Sequence, residues 1–203
     1  MILACDCGTS GVRSVIVDST FKLLAQSYSE LDSTYPQEGW VEQDPEQIWA
    51  VALESLKTCI KQVNPASITG FALTNQRETT ILWDKSTGEP VYNAIVWQCR
   101  RTLDYCQRIK KFSGFVKEKT GLVLDPYFSA TKIRWILDHV PAAKAALEKG
   151  NLLFGTVDSW IIWRLTQGGV HATEPSNAAR TCLYNIHDRG YDPDLCDLFD
   201  SFL

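Results

Sequence analysis

No apolar stretch in this chain reaches the ~20 residues that a membrane-spanning helix needs, so no spanning segment is expected. Met1 leads straight into a strand-like run with no basic region ahead of it, so a secretory leader is not expected and the expected location is cytoplasmic. There is no excess of basic charge. The formal net charge is -4, which gives neither nucleic acid nor an anionic membrane a reason to bind. A phosphate ligand would have to be met by local groups. Cysteine is present at seven positions, an odd number, without any C-x-x-C pair. A zinc site therefore lacks its usual ligand spacing, and reduced thiols are the plain expectation. Internal repeats, low-complexity tracts and long linkers are also missing.

What is present is the composition of a soluble globular protein, with 45% hydrophobic and 22% charged residues in a chain of 203. That length suits one domain, or one and a fraction, with a sizeable core. Residues 2–7 and 12–18 read as strands around the turn signal Gly8-Thr9-Ser10-Gly11, and residues 21–31 as a third strand. Asp44-Pro45-Glu46-Gln47 reads as a helix start, with Asp44 as N-cap, Pro45 at the first position and Gln47 closing a capping box. Ile48, Ala52, Leu56, Cys59 and Val63 follow on one helical face. A strand at 68–74 and a hairpin of 79–83 with 90–96 come next. Helices are predicted over 101–112, 129–140 and 142–149, the last stopped by Gly150. A buried strand at 152–157, a helix over 158–165 capped by Asp158, and a short helix in 192–203 complete the series. The pattern is α/β: a mixed sheet that opens with a three-strand meander and is flanked by helices.

Four segments could carry chemistry. Asp6-Cys7-Gly8-Thr9-Ser10-Gly11-Val12-Arg13 sits at a strand-turn-strand. Gly8 permits close backbone approach, successive N–H groups can form an anion-binding concavity, and Thr9, Ser10 and Arg13 add donors suited to phosphate. Asp6 could hold hydrated Mg²⁺ through its carboxylate. A plain hairpin turn would use the same residue types. Asn75-Gln76-Arg77-Glu78-Thr79 follows a strand, where α/β sheets bind ligands, and offers the mixed donors and acceptors that a polyol needs, with Arg77 and Glu78 bracketing neighbouring hydroxyls. A solvated loop would look similar. Trp97, in Ile95-Val96-Trp97-Gln98-Cys99-Arg100-Arg101, could wall a small hydroxylated ligand or pack in the core. Arg100 and Arg101 oppose the dipole of a helix start, which favours a specific role. Tyr127, after Asp125-Pro126, could offer its hydroxyl to a ligand or, with Phe128, staple the next helix.

In order along nearly the whole chain, these segments resemble the FGGY family of sugar and polyol kinases, and within it the members that act on glycerol. The resemblance also runs through Gly39-Trp40-Val41-Glu42-Gln43-Asp44-Pro45, Lys119-Thr120-Gly121-Leu122-Val123-Leu124-Asp125-Pro126-Tyr127-Phe128-Ser129 and Leu153-Phe154-Gly155-Thr156-Val157-Asp158. It implies an actin-like ATPase (ribonuclease H-like) fold, with residues 1–203 as an amino-terminal domain incomplete at its carboxyl end and a second such domain beyond. It implies ATP and Mg²⁺ as cofactors and transfer of phosphate to a terminal hydroxyl of glycerol, giving ADP. By position, Arg77, Glu78 and Tyr127 would hydrogen-bond the polyol and Trp97 would stack on its carbons. Thr9, Ser10 and Arg13 would approach the nucleotide phosphates, and Asp6 would serve Mg²⁺. The general-base Asp of the family, in a Gly-Asp-Gln segment, has no counterpart here. No catalytic residue is therefore expected within this stretch, and the parent is expected to be a homo-oligomer. Cys7 and Gly11 depart from the glycerol-acting pattern, and Ala130 stands where Gly is expected. These departures keep xylulose-, ribulose- or gluconate-type kinases open, as the shortened length does a non-catalytic binding module.

Overall fold

The structure is a computed structural model that describes residues 1–200. The chain divides into two compact units, Met1–Ser33 with Gln43–Gln76 and Thr34–Glu42 with Arg77 onward.

The first unit is a four-stranded sheet of order β3-β2-β1-β5, formed by β1 (Ile2–Cys7), β2 (Gly11–Val17), β3 (Leu23–Glu30) and β5 (Gly70–Asn75). The predicted meander is present: β1–β2 and β2–β3 are antiparallel, while β5 joins β1 in parallel. Alternation sorts the strands into faces. Leu3, Cys5 and Cys7 of β1 and Val12, Ser14 and Ile16 of β2 are buried. So are Ile48, Ala52, Leu56 and Cys59, on one face of α1 (Pro45–Ile60). Within this core Ser55 Oγ donates to Ser14 Oγ at 2.9 Å. Asp44 caps α1 as expected, accepting from the Glu46 N–H. Gln47 does not close a capping box. Its Nε2 donates to Asp32 at 2.8 Å instead. The strand expected at 68–74 is shifted to Gly70–Asn75, because residues 65–67 form a 3-10 turn capped by Asn64.

The two-residue strand β4 (Glu42–Gln43) straddles the chain boundary between the units. In the second unit, the segments of β6 (Ile81–Asp84) and β7 (Ala94–Ile95) are linked by isolated bridges at Thr80–Ile95 and Trp83–Pro90 and by the Val91 N–H donating to Leu82 O at 3.0 Å. The expected hairpin is thus present as a broken ladder, and β6 also pairs antiparallel with β8 (Leu152–Gly155), a partner that was not anticipated. The helix predicted over 101–112 is shorter, α2 (Leu103–Arg108). A helix not anticipated, α3 (Ser113–Thr120), follows it. Next come α4 (Ser129–His139) and α5 (Pro141–Glu148), with Gly150 in the left-handed region at φ +66° as the expected stop. In α6 (Val157–Leu165) the N-cap position belongs to Thr156, not Asp158. Asp158 is buried at the second position of the helix, accepts from Thr173 at 2.7 Å, and has its carboxyl pKa pushed up by burial. The unit ends with α7 (Pro175–Ala178), the β9–β10 pair (Tyr184–Asn185, Gly190–Tyr191) and α8 (Pro193–Leu198). The part of the predicted 192–203 helix beyond residue 200 lies outside the described residues.

Candidate polyol and phosphate sites

Thr9, Ser10, Arg13 and Asp6 all fall in the first unit. Asp6 and Arg13 are cross-strand partners on β1 and β2 and point to the exposed face of the sheet. With Ala4, Val15, Ala72 and Thr74 they line a depression of about 150 Å³. The turn itself is fastened through its carbonyls. Gln76 Nε2 donates to Gly8 O at 3.4 Å, Gln43 Nε2 to Thr9 O at 2.7 Å, and the Leu31 N–H and Tyr28 hydroxyl to Ser10 O at 3.1 and 3.2 Å. Each of the three turn carbonyls thus accepts a hydrogen bond, and N–H groups and hydroxyls of the kind this turn carries are the donor type that an anion requires. One exposed carboxylate beside it, Asp6, is chemically suited to a hydrated Mg²⁺. Among the described residues no cluster of three or more His, Cys, Asp or Glu could hold a metal by itself.

Gly11 has a local reason. A Cβ there would stand 2.5 Å from Ser29 O and 2.6 Å from the Tyr28 hydroxyl. The departure at this position thus reflects how β3 packs on β2, where Arg13 also lies over the Tyr28 ring at 5.6 Å. All seven cysteines are buried and none is in a disulfide. Cys7 faces the α1 side of the sheet, with its sulfur 3.7 Å from that of Cys5.

Arg77, Glu78, Trp97 and Tyr127 all fall in the second unit. The polar run at 75–79 is not one cluster. Gln76 is buried in the first unit, where it donates to Gln43 at 2.7 Å. Arg77 is exposed and Glu78 is buried in the second unit. Thr79 serves the scaffold, its hydroxyl accepting from the Trp97 N–H at 3.3 Å. The rings of Trp97 and Tyr127 lie 5.4 Å apart, and Phe128 packs edge-on to Tyr127 at 5.1 Å. Glu78 accepts from Arg180 Nε at 2.7 Å, and the same guanidinium lies 5.9 Å from the Tyr127 ring and 5.0 Å from that of Phe128. Arg180 thereby joins the Glu78 carboxylate to the aromatic pair, so three of the four predicted polyol residues share one neighbourhood.

Arg180, Gln43 and Gln76 are the residues bonded into these candidate sites that the sequence reading missed or misplaced. Arg180 lies in the 172–181 segment, which carries no local motif. Arg100 and Arg101, whose place at a helix start favours a specific role, are both engaged in ion pairs. Arg100 grips Asp125 through both terminal nitrogens, at 2.7 and 3.3 Å, and Asp125 accepts the Tyr127 N–H at 2.9 Å. Burial pushes the Asp125 carboxyl up, but Arg100 and this N–H outweigh it and hold the pKa below the usual range. Arg101 bonds Glu42 at 2.6 Å beneath Trp40, whose ring centroid is 3.8 Å from the guanidinium carbon.

The profile of the FGGY family of carbohydrate kinases, N-terminal domain, matches residues 1–201. The chain is 51% identical over 201 residues to a glycerol kinase of Halothermothrix orenii, covering 97% of this chain and 40% of that protein. It is 49% identical to a glycerol kinase of Shewanella pealeana, covering 98% and 41%. The chain thus spans about two fifths of the length of the curated relatives it matches. Among solved structures, Plasmodium falciparum glycerol kinase with ADP superposes with a TM-score of 0.90 at 30% identity, covering 98% of this chain and 40% of that one. A ligand-bound xylulose kinase of Lactobacillus acidophilus shares the fold, with a TM-score of 0.87 at 23% identity over 99% and 40%. The mixed sheet with its opening meander is the actin-like ATPase architecture these kinases share, and this chain belongs to the FGGY family of carbohydrate kinases.

Proposed function

We propose that the chain supplies the polyol-binding wall and the first phosphate loop of an ATP-dependent kinase that converts glycerol to glycerol 3-phosphate. The observation that carries this reading is the Glu78–Arg180–Tyr127–Trp97 neighbourhood. A carboxylate fixed by a cation can accept from two adjacent hydroxyls, while an aromatic pair covers a three-carbon chain. Exposed Arg77, the residue before Glu78, adds donors for the remaining oxygen. The turn at residues 8–10 offers its donors to nucleotide phosphate, with Arg13 adding charge and Asp6 a seat for hydrated Mg²⁺. When bound, ATP–Mg²⁺ supplies the phosphoryl group and neutralises charge on it as it transfers. The chain's own residues bind and orient; the proton of the attacking hydroxyl needs a base from elsewhere in the parent enzyme. A cytoplasmic, oligomeric parent fits this reading, and among the described residues no helix is long and apolar enough to cross a membrane.

Calorimetric titration of the chain with glycerol tests this. Saturable binding, weakened at least tenfold by Arg77→Ala, is the expected result. Tighter binding of xylulose, ribulose or gluconate than of glycerol would transfer the assignment to a sugar kinase, and an active full-length enzyme should show the same ranking.

A further inference from the structure

Lys132 is fully buried, and among the described residues it is one of the largest side chains to be so. It sits in the first turn of α4, where the helix dipole disfavours a cation. Two unfavourable placements in one residue call for compensation, and three carbonyls provide it. Lys132 Nζ donates to Glu78 O at 3.1 Å, to Tyr127 O, and to Phe128 O at 3.5 Å. Ser129 Oγ adds a second donor to Glu78 O at 3.4 Å. Glu78 lies between β5 and β6, and Tyr127 lies in the turn before α4. The ammonium is therefore a three-way tie between the two backbone segments that carry the carboxylate and the aromatic hydroxyl of the proposed polyol wall.

We infer that Lys132 is a positioning residue that sets the separation of Glu78 from Tyr127 and so tunes the polyol site without touching ligand. This rests on the assignment of Glu78 and Tyr127 as polyol contacts. Burial lowers the Lys132 pKa to about 7, opposed by Cys99, Glu78, Asp125 and Cys182 around it. Above that pH the amine keeps two protons for three carbonyls, so the tie loosens as pH rises. Arg180 meets the same Glu78 at its carboxylate, while Lys132 meets it at its backbone carbonyl. The histidines bond elsewhere, to the carbonyls of Trp135, Phe154 and Glu118.

Nuclear magnetic resonance of the full chain tests the tie in two ways. In Lys132→Met the ring-to-ring Overhauser contact of Trp97 with Tyr127 should weaken while amide dispersion persists, and glycerol affinity should fall more than tenfold. Wild-type affinity should decline as pH rises from 6 to 8, and the variant's should be flat. An unchanged Overhauser contact and unchanged affinity in a folded variant would overturn the inference. If wild type binds no glycerol, the polyol assignment fails and the Overhauser contact alone still decides the positioning role. If the variant does not fold, the wild-type Lys132 Nζ resonance decides instead. Slow exchange with through-bond coupling to the Glu78 and Tyr127 carbonyl carbons supports the tie, and a freely exchanging ammonium refutes it.

Discussion

Arg180 reaches across 102 positions of sequence to place its Nε 2.7 Å from Glu78 Oε1. Glu78 is 3% exposed, and a buried carboxylate calls for a hydrogen-bonding partner of this kind. Arg180→Met keeps an apolar stem against Phe128 but removes the donor. A charge-assisted hydrogen bond lost at a buried carboxylate costs roughly 1.5–3 kcal/mol. Glycerol affinity should therefore drop about tenfold or more, with a fall of several degrees in Tm. Arg180→Lys, which supplies a point charge without the planar fork, should fall between the two. Wild-type affinity in Arg180→Met would show that the pair does not orient Glu78.

The Glu42–Arg101 pair is a stability element of the second unit. Glu42 accepts from Tyr92 at 2.7 Å, Asn93 at 2.9 Å and Arg101 at 2.6 Å, and neither charged side chain is more than 3% exposed. Burial raises the Glu42 pKa, but Asn93, Tyr92 and Arg101 together lower it below the ordinary value of 4.5. A carboxylate with a depressed folded pKa contributes stability that is complete above 4.5 and is lost as pH falls through the folded value. Arg101→Ala strands Glu42 and should cost about 3–5 kcal/mol in urea unfolding at pH 7. The deficit should shrink toward pH 3, where Glu42 is protonated in the variant. A loss under about 1 kcal/mol at neutral pH would mean that solvent reaches the pair.

Gly11→Ala should destabilise the first unit. The added methyl meets a backbone carbonyl, Ser29 O, at 2.5 Å, and β2 must shift from β3 to admit it. Overpacking of this kind costs roughly 1–3 kcal/mol. Tyr28→Phe removes the hydroxyl contact at 2.6 Å and should recover only part of the loss, because the Ser29 carbonyl and the ring Cζ at 2.7 Å remain. Thermal unfolding of the three variants measures this. Full recovery in the double variant would place the clash on the tyrosine alone.

Local signals were legible where a few neighbouring residues decide the outcome. The Gly-rich turn between β1 and β2, the Asp44-Pro45 start of α1 and the Gly150 stop of α5 are chain-local devices, and each appears where the sequence puts it. Helix α3 gave no periodic signal because it buries only Val116 and Thr120. The partner of β6 could not be read locally either, since β8 arrives about seventy positions later in chain order, and the nearby hairpin looked equally good.

Residue type and order alone determined the α/β class, the opening meander, the family resemblance and the four polyol candidates. Those follow from backbone propensity, side-chain period and motif chemistry, which act over a few residues. Tertiary packing decided what each polar side chain is used for. It turned Gln76 and Gln43 onto the carbonyls of the phosphate-loop candidate, and committed Arg100 and Arg101 to structural ion pairs. It also set Lys132 and Arg180 on Glu78. A buried polar group must find a partner wherever the fold supplies one, and here those partners lie up to 102 positions away.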